Sequence, residues 1–250
     1  MTTPEGRPVS SAVDGDTVLQ GDVLEDLVEA RNYRGWLVRL TAPHLGEHPI
    51  EIGGGTGHYA QDWVDGGVPH LTTSEADPVR LAQLRERFAG SARVTVRELT
   101  VPIEETADYS AAVACNVLEH IPDDVEGLRA FAGLVRPGGR VVVVVPAVPA
   151  AMSAFDRSIG HHRRYLKRTL RAAAEQAGLA VERLHYVNAL GLIGWFLVVK
   201  LLGGRPKAGL VLTVYDRGVV PWLSRLERRF PPPVGQSLLL VARVPGSPGT

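Results

Sequence analysis

Short apolar runs alternate along this chain with stretches whose apolar residues recur every three or four positions. The apolar, β-branched runs predict seven strands, at residues 49–53, 71–75, 92–98, 110–116, 140–146, 180–187 and 237–244. Residues 141–145 are all valine, which is typical of a strand that is buried on both faces. Because strands that alternate with helices build a parallel sheet covered on both sides, we expect an α/β fold.

The stretches between the strands predict helices, and two of them precede the first strand. Apolar stripes through Leu24, Leu27 and Val28 and then through Tyr33 and Trp36 predict helices within residues 21–45. Since these helices come directly before the first strand, we expect them to form a lid over a ligand pocket. Residues 1–20 are rich in small and polar types, so we expect a tail that is at least partly disordered, followed by a single domain at 21–250.

A glycine-rich turn follows the first predicted strand. Glu51 lies at the end of this strand, and Gly53, Gly55 and Gly57 alternate after it. Glycine permits positive φ and lets a ligand approach the bare backbone. The acid would repel a phosphate and suits a ligand that carries an amine or hydroxyls. A dinucleotide fingerprint would have glycine or alanine at position 58, where this chain has His58.

A second acid, Glu75, ends the second predicted strand. It follows the glycine turn by about 20 residues, the spacing at which a second-strand acid holds ribose hydroxyls. Asp77 and Pro78 come next and predict an N-cap and the first position of a helix. The sequence therefore predicts that Glu75 lies beside the glycine turn and accepts hydrogen bonds from both ribose hydroxyls.

With these two motifs, the chain resembles the class I S-adenosylmethionine-dependent methyltransferases. Residues 51–57 are similar to the first motif of that family, and three later segments resemble its other motifs in the same order, at residues 73–78, 114–122 and 134–140. The resemblance covers residues 30–245. Asn32-Tyr33-x-x-Trp36 and residues 156–165 are similar to a narrower bacterial subgroup that acts on small molecules.

The resemblance implies a Rossmann-like sheet of seven strands, mostly parallel with an antiparallel last strand, and S-adenosylmethionine as the cofactor. Thr100 stands where the family often has an acid that holds the adenine amino group; a threonine oxygen can also accept that hydrogen bond. The cofactor-binding residues that the resemblance implies are Tyr33, Glu51, Gly53, Gly55, Gly57, Glu75, Ala76, Thr100 and Asn116.

Two segments interrupt the alternation of strands and helices. Residues 146–166 form a long connection with a basic, aromatic end, and we expect a substrate loop there. Residues 189–233 predict a helical insertion before the last strand. Its first part, 189–202, is strongly apolar yet short for a membrane span. We interpret it as a buried helix or a dimer face; a wall for a lipid-like substrate and an interfacial helix are the alternatives.

The composition of the chain indicates which kinds of binding partner to expect. The formal net charge of the 250 residues is zero, so no basic excess favours nucleic acid. The single Cys115 excludes an internal disulfide and favours the cytoplasm, and residues 1–20 have no apolar core of a secretory signal. We expect a small-molecule partner. A homodimer stays open, and a peripheral membrane contact is the less favoured prediction.

The proton-active side chains cluster near the predicted pocket. Methyl transfer from a sulfonium needs no metal, but a hydroxyl acceptor benefits from a general base, for which histidine suits neutral pH. His161, His162 and Tyr165 lie in the substrate loop and His120 follows the fourth strand, so these four are the catalytic candidates. A metal site of Asp156, His161 and His162 is disfavoured because adjacent histidines rarely face one ion, and we predict no metal.

The predicted function is transfer of a methyl group from S-adenosylmethionine to an oxygen or nitrogen atom of a metabolite or natural product. Methylation of a lipid-linked acceptor at a membrane surface is the main alternative. Two other classes stay open: a non-catalytic, cofactor-binding partner subunit, which the Thr100 departure allows, and a nicotinamide-dependent oxidoreductase, against which His58 argues.

Overall fold

A computed structural model describes residues 30–101, 103, 105–201 and 209–246. The predicted tail at 1–20 and the predicted helix that carries Leu24, Leu27 and Val28 lie outside the described residues.

Within the described part of the chain seven strands form one sheet, as predicted: β1 (Ile50–Ile52), β2 (Leu71–Glu75), β3 (Val94–Glu98), β4 (Tyr109–Cys115), β5 (Val135–Pro146), β6 (Ala180–Val187) and β7 (Ser237–Arg243). Their spatial order is β3-β2-β1-β4-β5-β7-β6. The first five pair in parallel, and β7 runs antiparallel to both of its neighbours. The Rossmann-like, mostly parallel sheet with an antiparallel last strand is therefore confirmed.

β5 starts at Val135, five residues before the predicted start at residue 140. Val135 pairs with Tyr109, and Gly138 and Gly139 exchange backbone hydrogen bonds with Val244, so the turn residues already belong to the sheet. Backbone pairing extends this strand where its apolar pattern does not.

Nine helices are described. They are α1 (Arg31–Thr41), α2 (His58–Asp65), α3 (Pro78–Phe88), α4 (Asp124–Gly133), α5 (Ala154–Ser158), α6 (Lys167–Gln176), α7 (Ala189–Gly194), α8 (Leu210–Val214) and α9 (Val220–Arg229). Wider π-type turns extend α7 through Trp195–Leu201 and join α8 to α9 through Tyr215–Val219. Among these described helices, none has both the length and the apolar character to cross a bilayer.

The core has two layers, one on each face of the sheet. Val141, Val143 and Val145 pack with α4 and α6 on one face, whereas Val142 and Val144 pack with α1, α2 and α9 on the other. All five side chains are completely buried. Because successive side chains of a strand point to opposite faces, this unbroken valine run fills both layers.

The order in which strands are added to the sheet reverses between β1 and β4. The chain builds β1, β2 and β3 outward and then returns to place β4 beside β1. Open α/β sheets bind ligands at such a switch point, at the carboxyl ends of the strands. The turn after β1 and the turn after β4 meet there, since a Cβ added to Gly53 would lie 2.6 Å from Val117 Cγ2.

The segment between β6 and β7 contains α7, α8 and α9, and two buried acids attach it to the domain. Asp216 accepts the backbone N–H groups of Asn32 and Tyr33 at the start of α1. Glu227 accepts those of Asn188 and Ala189 at the start of α7. Both acids thus bind backbone N–H groups of a first helical turn, which have no partner within their own helix.

The expectation of a buried helix at 189–202 is wrong for the residues described there. Val199 and Gly191 face inward, but most of the large apolar side chains are exposed: Leu190, Ile193, Phe196, Leu197, Val198 and Leu201. Apolar composition predicted burial, whereas only one side of this helix packs on the domain.

Candidate functional site

The turn between β1 and α2 requires its glycines. Gly53, Gly55 and Gly57 have φ of 70°, 56° and 78°, where other residues are strained. Space excludes side chains as well, because a Cβ on Gly54 would lie 2.1 Å from Thr73 Oγ1. The backbone is consequently bare at the switch point, as a closely approaching ligand requires.

Glu51 lies beneath this turn and is fully enclosed. Thr73 Oγ1 donates a hydrogen bond of 2.6 Å to its carboxylate. Burial raises the pKa of Glu51 to about 7, against a lowering by the Thr73 bond and a further rise from nearby Glu75. The carboxyl group is therefore balanced between its neutral and charged forms near neutral pH.

This raised pKa predicts a stability difference between the wild type and Glu51→Gln. Unfolded Glu51 ionises near pH 4.5 but the folded group only near pH 7, so the free energy of unfolding falls as pH rises through that window. The loss amounts to about 3 kcal/mol, and the amide, which cannot ionise, escapes it. Urea unfolding below pH 4.5 and above pH 7 measures the difference, with exposed Glu98→Gln as control. Parallel pH profiles for wild type and Glu51→Gln would contradict the assignment.

Glu75 joins the end of β2 to the glycine turn. Its Oε2 accepts the N–H of Gly55 at 2.9 Å, and its Oε1 accepts those of Ala76 and Asp77, each at 2.9 Å. The Arg80 guanidinium lies 3.6 Å from Oε1. A carboxylate has about four acceptor sites. Three are engaged here, so Glu75 shapes the turn and keeps acceptor capacity toward the open side; its bonds to ribose hydroxyls stay a prediction.

The other predicted cofactor residues lie around the same edge. Asn116 has a φ of 55° directly after β4, and Ala76 follows β2. Thr100 is exposed two residues beyond the end of β3. Tyr33, on α1, bonds through its hydroxyl to Ser237 at 3.1 Å, and burial raises its pKa to about 12.

A group of histidines and acids links the turn after β4 to the segment after α5. His161 Nδ1 lies 3.1 Å from Asp156 Oδ1, and its Nε2 lies 3.7 Å from Glu119 Oε1. The His120 ring packs edge-on against His161 with centroids 4.6 Å apart. We call Glu119, His120, Asp156 and His161 the histidine cluster.

Asp156 is fixed from several sides. Ser153 donates to Oδ2 through its backbone N–H and its hydroxyl, at 2.7 and 2.6 Å. Arg164 donates to Oδ1 at 2.7 Å. Hydrogen bonds from His161, Arg164 and Ser153 together outweigh burial and hold the pKa of Asp156 well below its usual range. An ionised Asp156 therefore orients the His161 ring.

Glu119 and His120 are buried polar residues that lack some of the hydrogen bonds they could make. Both carboxylate oxygens of Glu119 and Nδ1 of His120 are buried without a hydrogen bond. Burial raises the pKa of Glu119 to about 7, against lowering by His161. Burial lowers the pKa of His120 to about 3, helped by His161, His162 and Arg80. His120 is thus neutral at physiological pH, and too weak a base for a proton that must be removed at pH 7.

Two of the four predicted catalytic side chains lie apart from this cluster. His162 is exposed, and its backbone N–H bonds to the Glu119 carbonyl. Tyr165, expected over the pocket, is 2% exposed and packs in the core, where its hydroxyl has no hydrogen bond and burial raises its pKa above the usual value. The bridge between Ala147 and Tyr165 draws this residue to the end of β5 and explains its burial.

The structure also shows which residues could hold a metal. Ligand atoms of Glu119, His120 and His161 lie within 4.8 Å of one another, and imidazole with carboxylate suits divalent transition metals. This set differs from the disfavoured set of Asp156, His161 and His162, because the His162 ring does not join it.

Glu119 and the orienting role of Asp156 were missed by reasoning from sequence. The available signal was the contiguous pair Glu119-His120 after a buried strand, together with a second histidine in the segment after β5. Only the fold brings His161 against them, so their contact could not be inferred from spacing.

Comparisons with known proteins agree with this geometry. Residues 50–141 match a family model described as a methyltransferase domain. An uncharacterized methyltransferase of Mycobacterium bovis is 24% identical over 51% of this chain and 50% of its own length. The ubiquinone biosynthesis O-methyltransferase of Aeromonas salmonicida is 31% identical over 43% of this chain and 47% of its own. The chain thus spans about half the length of the curated relatives it matches.

A solved structure, an S-adenosylmethionine-dependent methyltransferase from Mesorhizobium loti, has the same fold. It superposes with a TM-score of 0.57 and 17% identity over 83% of this chain and 95% of its own. Residues 50–141 thus match a methyltransferase domain, and the chain is similar in sequence and in fold to S-adenosylmethionine-dependent methyltransferases of class I. The cofactor of this class is S-adenosylmethionine, and the bare backbone at residues 53–57 fits it.

Proposed function

We propose that this protein transfers the methyl group of S-adenosylmethionine to an oxygen or nitrogen atom of a small-molecule acceptor. The observation that carries the proposal is the placement of two sites at one sheet edge. The glycine turn and Glu75 form a cofactor cradle, and the histidine cluster follows the neighbouring strand β4.

The cradle would bind the cofactor through backbone and acids. Gly53, Gly55 and Gly57 let the ligand contact the main chain, and Glu75 accepts a ribose hydroxyl. Thr100 and Asn116 stand at the ends of β3 and β4, beside the space that the turn opens. Tyr33 on α1 would cover the ligand from the lid side. When bound, S-adenosylmethionine supplies an electrophilic methyl group, and the protein must align the acceptor with it and exclude water.

The histidine cluster would serve the acceptor. With Nδ1–H of His161 directed at ionised Asp156, Nε2 has a free lone pair and can accept the acceptor's proton. The imidazolium formed would lie between Asp156 and Glu119; the charge of Asp156 stabilises it, and Glu119 adds to this effect where it is ionised. This is the arrangement of a base oriented by a buried carboxylate.

Arg80 connects the two sites electrostatically. Its guanidinium lies 3.6 Å from Glu75 in the cradle, and its charge also lowers the pKa of His120 in the cluster. The cradle and the cluster follow the neighbouring strands β1 and β4, an arrangement in which a cofactor and an acceptor could meet.

Two measurements test the function. Titration calorimetry should show binding of S-adenosylmethionine and S-adenosylhomocysteine but not of NADH. His58 stands where the dinucleotide-binding fingerprint has glycine or alanine. Incubation of candidate acceptors with the methyl donor should then give products heavier by one methylene unit, detected by mass spectrometry. Binding of NADH alone would favour the oxidoreductase, and cofactor binding without product from any acceptor would favour the silent partner subunit.

A further inference from the structure

Among the residues that the structure describes, the exposed apolar side chains are concentrated in one segment. Of the fourteen large apolar residues that are exposed in the described chain, thirteen lie between Leu190 and Val234, and only Val79 lies elsewhere. A soluble monomer normally scatters such residues singly. We call the exposed apolar and basic residues of 189–201 and 209–234 the insertion surface.

The exposed charge of the insertion surface is entirely positive. In the sequence, residues 189–234 contain seven basic and two acidic residues, a difference of +5 within a chain of zero net charge. The two acids are Asp216 and Glu227, which are 2% and 8% exposed and bind the backbone N–H groups described above. All five described basic residues are exposed: Lys200, Arg217, Arg225, Arg228 and Arg229.

Helix α9 shows how apolar and basic groups are combined. Trp222 and Leu226 on α9 and Phe230 directly after it follow one another at spacings of four, and all three are exposed, Trp222 at 76%. Arg225 and Arg229 fall between them on the same helical face. The opposite face carries the buried residues Val220, Leu223 and Glu227. Tryptophan, large aliphatic groups and arginine on one exposed face suit a helix that lies at a lipid–water boundary.

We propose that the insertion surface binds the surface of an anionic lipid bilayer. Apolar side chains enter the boundary region while the arginines and Lys200 meet lipid phosphates, and buried Asp216 and Glu227 do not oppose them. The proposed contact is a peripheral one, made by one face of the insertion. A second copy of the chain would bring equal positive charge to the same surface, so a homodimer is disfavoured here.

The helix that carries the first part of the insertion surface packs beside the histidine cluster. Val199 packs with Phe155 and Ile159, on and just after α5. On the same side of the helix, the Trp195 ring lies 4.5 Å from the guanidinium of Arg164, which holds Asp156. Bilayer contact would therefore bring lipid close to the acceptor side. We therefore expect an amphiphilic acceptor that is taken from the membrane, and this consequence alone rests on the proposed function.

Vesicle binding tests the surface without any enzyme assay. The full-length protein should co-sediment with phosphatidylglycerol–phosphatidylcholine vesicles, less with pure phosphatidylcholine, and less at high salt. The combined variant Arg225→Gln, Arg228→Gln, Arg229→Gln should bind anionic vesicles about 100-fold more weakly, at roughly fivefold per charge. Trp222→Ser with Leu226→Ser should also release the protein, while the exposed control substitutions Val79→Ser and Arg85→Gln should leave binding unchanged.

Fluorescence locates the contact. Trp36 and Trp63 are buried and Trp195 is half-buried, so a blue shift on vesicle addition should come chiefly from Trp222 and disappear in Trp222→Phe. Absence of binding to anionic vesicles would overturn the proposal, as would binding that the three arginine substitutions do not weaken. A wild-type dimer in sedimentation equilibrium that Trp222→Ser dissociates, without vesicle binding, would assign the surface to a second copy instead. Failure of methyl transfer would leave each of these results unchanged.

Discussion

Glu75→Ala should weaken binding of S-adenosylmethionine at least tenfold. The carboxylate is buried, and removing a charged hydrogen-bond acceptor from a ligand hydroxyl typically costs a few kcal/mol of binding free energy. The substitution also removes the bond to Gly55 N–H, which fixes the turn against which the ligand would lie. Titration calorimetry on purified wild type and variant measures the change in dissociation constant.

Glu98→Ala is the matched control for this experiment. Glu98 is the register partner of Glu75 on β3 and ends at the same sheet edge, but its side chain is largely exposed. We expect its variant to bind like the wild type. Thermal unfolding without ligand separates a lost contact from a lost fold, because Glu75→Ala should still unfold cooperatively. Equal affinities of Glu75→Ala and wild type would remove Glu75 from the cofactor site.

The fold was predictable because its signals are local. The valine run of β5 dictates burial on both faces wherever the strand lies, and Asp77 before Pro78 specifies the start of α3. Indeed, Asp77 Oδ1 accepts the N–H groups of Val79 and Arg80. Strand ends were less predictable, as β5 shows, because they depend on pairing with a distant strand.

The histidine cluster was only half predictable. His120 and His161 could be placed at the pocket edge from their positions after β4 and β5. The roles of their neighbours depend on contacts between distant parts of the chain: Glu119 faces His161 across 42 positions of sequence, and Tyr165 is drawn into the core by pairing with Ala147. Burial by tertiary packing is not encoded in the local pattern of either residue.

Burial of the helix at 189–202 was wrongly predicted for a related reason. Its composition is that of a buried helix, and apolar residues at 189–202 would ordinarily lie inside a protein of this size. Composition does not reveal that Asp216 and Glu227 attach α7–α9 to the domain through a few buried hydrogen bonds. The other faces of these helices stay exposed. An amphipathic surface and a core helix differ here only in tertiary placement.

His161→Ala should lower turnover about 100-fold or more while leaving cofactor affinity nearly unchanged. General-base catalysis typically contributes that much, and His161 is the one histidine of the cluster whose Nδ1 is held by a buried acid. The assay uses the acceptor found by mass shift, with kcat measured at saturating cofactor and the cofactor dissociation constant measured separately. His162→Ala is the matched control: its side chain is exposed beside the cluster, so turnover should stay close to that of the wild type.

The pattern of losses distinguishes the roles open to the cluster. A base at His161 predicts that His161→Gln, which keeps a hydrogen bond to Asp156 but offers no comparable base, is as impaired as His161→Ala. Full turnover in both His161 variants would show that positioning alone drives the transfer, and loss of cofactor affinity in both would make the cluster structural. If a chelator abolishes wild-type turnover and zinc restores it, Glu119, His120 and His161 hold a cation and His161 is not the base. A catalytic His161 therefore requires a large fall in kcat, an unchanged cofactor affinity and turnover that a chelator does not affect.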